Sequence, residues 1–124
     1  MTIRDFQEWT RRSNASTRWD AISPLQVLAH LTEELGEVAQ SVNRIYEYRG
    51  ETAEKHRQNL GVELMDVLGL LSQLACRYDV DLQREAEEMV SRADSRQPDA
   101  FRSQLIAGIE TLASDASKAQ LRLG

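Results

Sequence analysis

Two short stretches place acids where a helix would not ordinarily gather them. In LTEELGEVAQ, Glu33, Glu34 and Glu37 stand together, and in GVELMDVLGL, Glu63 and Asp66 repeat the three-residue interval. Like charges three or four residues apart on a helix repel by a few tenths of a kcal/mol per pair, so such a cluster calls for a solvated face or a counter-charge. On a helix, Glu34 and Glu37 lie on adjacent turns of one flank, as do Glu63 and Asp66, while Glu33 points more nearly away. Four carboxylates brought together at the margin of a core raise one another's pKa values unless a cation neutralises them. A hard divalent ion, Mg²⁺ with Mn²⁺ as a substitute, takes such oxygens and keeps positions open for phosphate oxygens. Two ions about 3.5–4 Å apart can stabilise the attacking and leaving oxygens of a phosphoryl or nucleotidyl displacement. The competing explanation, that these acids are a solvated helix face, fits any one of them better than it fits the matched set.

The elements that must carry these acids are helices. Ser23, Pro24 and Gln26 form a capping box with proline at the first helical position, predicting a helix from residue 24 to about 48 that stops at Gly50. Within it Leu28, Leu31, Leu35, Val38, Val42 and Ile45 recur at intervals of three and four, the expected core stripe. A third helix is expected over residues 52–78, with Leu60, Leu64, Val67, Leu68, Leu71, Leu74 and Tyr78 in the same rhythm. A first helix is expected over residues 3–12, a fourth from 82 to the break at Gln97 and Pro98, and a fifth after it. No β-alternation or internal repeat is evident, so the expected class is all-α: a bundle of four to five helices with residues 1–97 as the functional domain. Residues 98–124 form a helical extension of it.

Composition narrows the partners. The 124 residues are 41% hydrophobic and 28% charged, enough for one modest core. A net charge of −5 disfavours nucleic acid, because phosphate binding leaves a basic footprint. The one cysteine, Cys76, rules out an internal disulfide framework, suits a reducing cytoplasm, and is expected to be a small buried group. The opening MTIRDFQEWTRR lacks an apolar signal region, and no uninterrupted apolar run approaches the ~18–20 residues of a membrane helix, so a soluble cytoplasmic protein is expected. Apolar residues outside the stripes, Val27, Met65 and Leu70, suggest surface left for self-association into at least a homodimer.

Glu34-Leu35-Gly36-Glu37, then 25 residues, then Glu63-Leu64-Met65-Asp66 resembles the E-x-x-E…E-x-x-D signature of the MazG-like all-α nucleotide pyrophosphohydrolases. Glu33 matches the doubled acid often seen there. WDAISPLQVLAHLTEELGEVAQ and LGVELMDVLGLLSQLA resemble the family's two acidic-helix contexts, and the likeness spans residues 3–96. The resemblance implies Mg²⁺-dependent hydrolysis of a nucleoside triphosphate between the α and β phosphates. Carried over by position, Glu34, Glu37, Glu63 and Asp66 are the metal ligands, and Glu33 either holds a further ion or orients the attacking water. It also allows a homotetramer. Within the same superfamily a phosphoribosyl-ATP pyrophosphohydrolase is the alternative enzyme, though the segment leading into the second helix looks less like that branch. A non-catalytic helical adaptor is the alternative of another class, which would not need all four acids.

Around the acids, His30 stands one turn before Glu34 and Trp19 just before the second helix, where it could stack on a base or anchor the core. Asn59 lies on the flank of Glu63 and Asp66. Arg77, with Arg44, Lys55, Arg84 and Arg92, is a candidate phosphate contact. Glu87 and Glu88 stand where many relatives carry a lysine, so phosphate binding by the fourth helix is not expected from the resemblance.

Overall fold

The computed structural model describes residues 1–96 and 98–123. All their regular elements are helical: α1 (Ile3–Thr17), a short 3₁₀ turn (Trp19–Ala21), α2 (Pro24–Glu47), α3 (Gly50–Arg77), α4 (Leu82–Ser95) and α5 (Pro98–Leu123). The class is all-α, as the periodicity predicts.

The helix starts are written in short-range chemistry. Thr2 and Asp5 form a reciprocal capping box on α1, with Asp5 N–H donating to Thr2 Oγ1 (3.1 Å) and Thr2 N–H donating to Asp5 Oδ2 (2.8 Å). The backbone and hydroxyl donors of Thr2 hold the Asp5 carboxyl below the usual carboxylate range. Ser23 and Gln26 make the expected box on α2, at 3.2 and 2.9 Å, with Pro24 in the first turn. α1 runs beyond the expected Arg12 to Thr17, where Arg18 takes a left-handed conformation (φ 62°). Its last turn is polar and so gives no apolar rhythm. That turn is fixed by burial of Asn14 and by the hydroxyls of Ser16 and Thr17 donating to Ser13 O.

Between α2 and α3 only Tyr48 and Arg49 intervene, which forces an antiparallel hairpin. The Arg49 guanidinium donates to the carbonyls of Tyr46 and Tyr48 at 3.1 and 3.3 Å. α3 opens at Gly50, two residues before the expected start, with φ at +64°, a conformation that favours glycine. At the other end of the hairpin, the Arg77 guanidinium donates to the carbonyls of Trp19 and Ile22 and ties the close of α3 to the start of α2.

The core is small and lies on an unexpected line. Val27, Leu31 and Leu70 are buried, with Ile22, Val67 and Leu74 packed against them. Of the expected core stripe, Leu28, Leu35 and Val42 on α2 and Leu64, Leu68 and Leu71 on α3 are exposed by 39–50%. The expected stripes are therefore split: Leu31, Val67 and Leu74 turn inward around Val27 and Leu70, which the periodicity left outside the stripes, while Leu28, Leu35, Val42, Leu64, Leu68 and Leu71 face outward. The reason is that each helix carries two apolar stripes, and periodicity does not say which one meets the neighbour within the chain. On α2 the inward line runs Val27, Leu31, Glu34, Val38, Ser41 and Ile45, so Glu34 lies in the seam with α3 rather than beside it.

α1 packs across α3 through a polar contact. Gln7, Thr10, Asn14 and Ser72 are all buried. Ser72 Oγ donates to Thr10 Oγ1 (3.0 Å), and Thr10 Oγ1 donates to Phe6 O (2.9 Å). Gln7 closes the α3–α4 turn with both ends of its amide, donating to Val80 O (2.6 Å) and accepting from Leu82 N–H (3.1 Å). Cys76 is half-buried, its thiol 3.7 Å from Gln7 O, and burial pushes its pKa up, which fits a packed and unreactive thiol.

The chain divides into two compact units, residues 1–83 and 84–124. The second holds most of α4, where Arg84 pairs with Glu85 and Glu88 (3.0 and 3.6 Å) and Arg92 with Glu88 (3.9 Å), and α5, which exposes Leu105, Ile106, Ile109 and Leu112. α3 is long and apolar enough, by length and composition, for a membrane span, but it carries Glu63 and Asp66 near its middle and packs along α2.

Candidate active site

The α2–α3 hairpin brings three of the expected acids to one point: carboxylate oxygens of Glu34, Glu37 and Glu63 lie within 4.8 Å of one another. Helical geometry explains the convergence. Glu34 and Glu37 are one turn apart on α2, and the antiparallel partner presents Glu63 across the seam. Glu34 is half-buried, and its Oε2 is covered without any hydrogen-bond partner. A carboxylate oxygen removed from water with nothing to pair it is costly. Glu63 is raised above the ordinary carboxylate range, first by its hydrogen bond with Glu37, then by desolvation, then by the charges of Glu37, Glu34 and Asp66. The donor set is all hard oxygen, carries excess negative charge, and includes one unpartnered buried atom. A divalent cation of the Mg²⁺ kind prefers such oxygens and would relieve both the excess charge and the unpartnered atom, so the residues fit such an ion.

Glu34 and Asp66 also line a cleft of about 470 Å³. Trp19 and His30, both expected near the ligand, line it too, with rings stacked at 6.1 Å between centroids and 16° between planes. Glu33 stands outside the convergent oxygens, 77% exposed, its carboxylate 3.4 Å from His30 Nδ1. Asn59 is exposed and not part of the lining, and Arg77 is engaged by the carbonyls at the start of α2. Neither lines the cleft. Tyr48 and His56 meet at 5.3 Å near the hairpin turn.

Other cleft residues carry no strong sequence signal for a site: Phe6, Trp9, Thr10 and Asn14 from α1, and Gln73 from α3, while Met65, expected at a self-association surface, also lines the cleft. A weak signal existed in α1, where Gln7, Thr10 and Asn14 fall at intervals of three and four and so share a face. Gln73 gave none, because a polar residue in a helix is usually solvated.

Residues 22–101 match the family model for the MazG nucleotide pyrophosphohydrolase domain. The chain is 32% identical over 100 residues to the uncharacterized protein YpjD of Bacillus subtilis (strain 168), a span that covers 81% of this chain and 90% of that relative. No solved structure matches.

Proposed function

The chain belongs to the MazG nucleotide pyrophosphohydrolase family, and from that premise we propose that it hydrolyses nucleoside triphosphates between the α and β phosphates, with Mg²⁺, to a nucleoside monophosphate and pyrophosphate. The observation that carries this reading is the convergence of Glu34, Glu37 and Glu63 within 4.8 Å, inside the family-matched segment and sharing Glu34 with the cleft.

Glu34, Glu37, Glu63 and Asp66 would hold the ion, with Mn²⁺ as a substitute. When bound, the ion supplies positive charge to the polyphosphate and lowers the pKa of a water. The acids alone would repel a triphosphate, so the same cluster makes productive binding conditional on the cation. Glu63, whose charge is disfavoured beside Glu37 without metal, would hold the ion in its charged form. Glu33, set apart from the converging oxygens and paired with His30, suits the orientation of the attacking water. The aromatic and polar remainder of the cleft holds the nucleoside, and much of the rate comes from alignment of water and phosphorus.

Residues 1–97 are the catalytic domain in this reading, and 98–124 a helical extension. The family match over 22–101 covers most of the first of these. The outward apolar stripe of α2 and α3 supports a homodimer or homotetramer. A net charge of −5 disfavours nucleic acid and anionic membrane surfaces as partners, and a single cysteine suits the cytoplasm.

The experiment is product analysis. With Mg²⁺ and a panel of nucleoside triphosphates, chromatography without added pyrophosphatase should give monophosphate and pyrophosphate as initial products. Diphosphate with orthophosphate would place the chemistry at the γ phosphorus and overturn the reading.

A further inference from the structure

The cleft is built from two sources. Its acids, His30 and Gln73 lie within the family-matched residues 22–101, but Phe6, Trp9, Asn14 and Trp19 precede them. The part of the cleft away from the acids is thus supplied largely by α1, which the family match does not include. It is held firmly, since the buried Ser72–Thr10–Phe6 hydrogen-bond chain pins α1 to α3 beside Gln73.

Gln73 differs from the other buried amide at this contact. Gln7 has both ends of its amide satisfied by backbone. Gln73 lines the cleft with its Oε1 covered and unpartnered. Amides in packed helices normally find partners, and a covered acceptor that has none is set for a donor that arrives with a ligand. Its position is also in register with the acids. Asp66 and Gln73 are seven residues apart and so share a face of α3, separated by roughly 10 Å of helix. Along α3 from its C-terminal end the order is Gln73, Asp66, Glu63. Along the antiparallel α2 from its N-terminal end it is His30, Glu34, Glu37. Both helices therefore set an amide or aromatic group at one end and carboxylates at the other, the polarity of a nucleotide with its base at one end and its phosphates at the other.

We propose that Gln73 is a specificity-determining residue that reads the base of the nucleotide, accepting a hydrogen bond from an exocyclic amine while its Nε2–H donates to the adjacent ring nitrogen, with the base held among the aromatic rings of α1 and the 3₁₀ turn. The substrate class is thus a nucleotide of an amino-bearing base with the cytosine or adenine edge. A turn of the Gln73 side chain toward the cleft it lines would bring Oε1 out to meet an amine, whereas the keto group that replaces the amine in uracil or hypoxanthine sets oxygen against oxygen. A site that hydrogen-bonds a substrate group rejects an analogue lacking it far more strongly than an apolar pocket rejects a methylene. The Trp9 ring, stacked on Phe6 at 5.6 Å, and the Trp19 ring, stacked on His30, are each braced on one side, which suits them to receive a planar base.

This rests on the nucleotide-hydrolysing reading, but its test does not need phosphate or metal. Free cytidine, uridine, adenosine and inosine are titrated in chelator, with calorimetry and the quenching of tryptophan fluorescence as readouts. The parent should bind cytidine over uridine, or adenosine over inosine, by roughly 10-fold or more, the effect of leaving a buried acceptor unpaired. Gln73→Leu, with Gln73→Met as the closer fit should leucine disturb packing, should flatten that preference to within about twofold, and should flatten the base ranking of pyrophosphate release as well. Glu63→Gln should keep the nucleoside preference while hydrolysis is lost, which separates this proposal from the metal-site reading. A parent that binds no nucleoside, or binds keto and amino partners equally, overturns it, as does a Gln73 variant that keeps the parental ranking.

Discussion

Glu63 is held above its ordinary pKa by a hydrogen bond to Glu37, desolvation and three neighbouring carboxylates, and the sign of its effect on stability follows. A carboxyl whose folded pKa is raised binds its proton more tightly in the folded state, so stability falls as pH rises from the unfolded value of about 4.3 through the folded value. Above that window the metal-free protein carries a repelling charge that the unfolded chain does not feel. Glu63→Gln should therefore be at least as stable as the parent in chelator at neutral pH, and the two should converge below about pH 4. Hydrolysis should nearly vanish in the same variant, because one of the proposed ion ligands has gone. Paired melts at neutral and acid pH, with a pyrophosphate-release assay, check all three outcomes. A variant less stable than the parent in chelator would show Glu63 to be a packing residue. The acids were legible because their chemistry depends on residue type and spacing alone. Gln73 and Trp9 were not, since what singles them out is a missing partner and a shared cleft, which only the tertiary packing of α1 creates.

Among the elements, two pairs of substitutions discriminate between the stripes and between the glycines. Leu31 is 7% exposed and Leu35 is 50% exposed, although both belong to one expected core stripe. Leu31→Ala should cost about 2–5 kcal/mol, while Leu35→Ala within a single chain should stay near 0.5 kcal/mol. Denaturant unfolding at submicromolar concentration reads both, and equal costs would contradict the inward line through Val27 and Leu31. Gly50 has φ at +64° and Gly36 is helical, and neither would meet a heavy atom within 4 Å of an added Cβ. Alanine should then destabilise at position 50 by about 1–2 kcal/mol through backbone strain, and stabilise at position 36 by about 0.5–1 kcal/mol through helix propensity. Capping boxes, proline and glycine made the boundaries of α2 and α3 legible to within two residues. The polar last turn of α1 and the choice between two apolar stripes were not, because both are decided by what packs alongside.

At the scale of the molecule, the exposed stripe and the acidic seam lead to separable behaviours. An ion that binds only the folded state stabilises by mass action, about 2.7 kcal/mol at a concentration one hundred times its Kd, so the melting temperature of the parent should rise with Mg²⁺ and that of Glu63→Gln should rise less. The apolar face made by Leu28, Leu35, Val42, Leu64, Leu68 and Leu71 lies on the same two helices but is not needed to hold the hairpin, whose own core is Val27, Leu31 and Leu70. If that face is where copies of the chain meet, as proposed, its burial should add to stability in a concentration-dependent way, and light scattering should give at least twice 14.1 kDa at micromolar protein. Placing charge on both helices of the stripe, Leu35→Glu with Leu68→Glu, should reduce the mass to that of one chain. It should also remove the concentration dependence of melting, and leave helical circular dichroism in place. A parent that scatters as a single 14.1 kDa chain with a melting temperature independent of concentration would show that the stripe is covered by something other than a second copy.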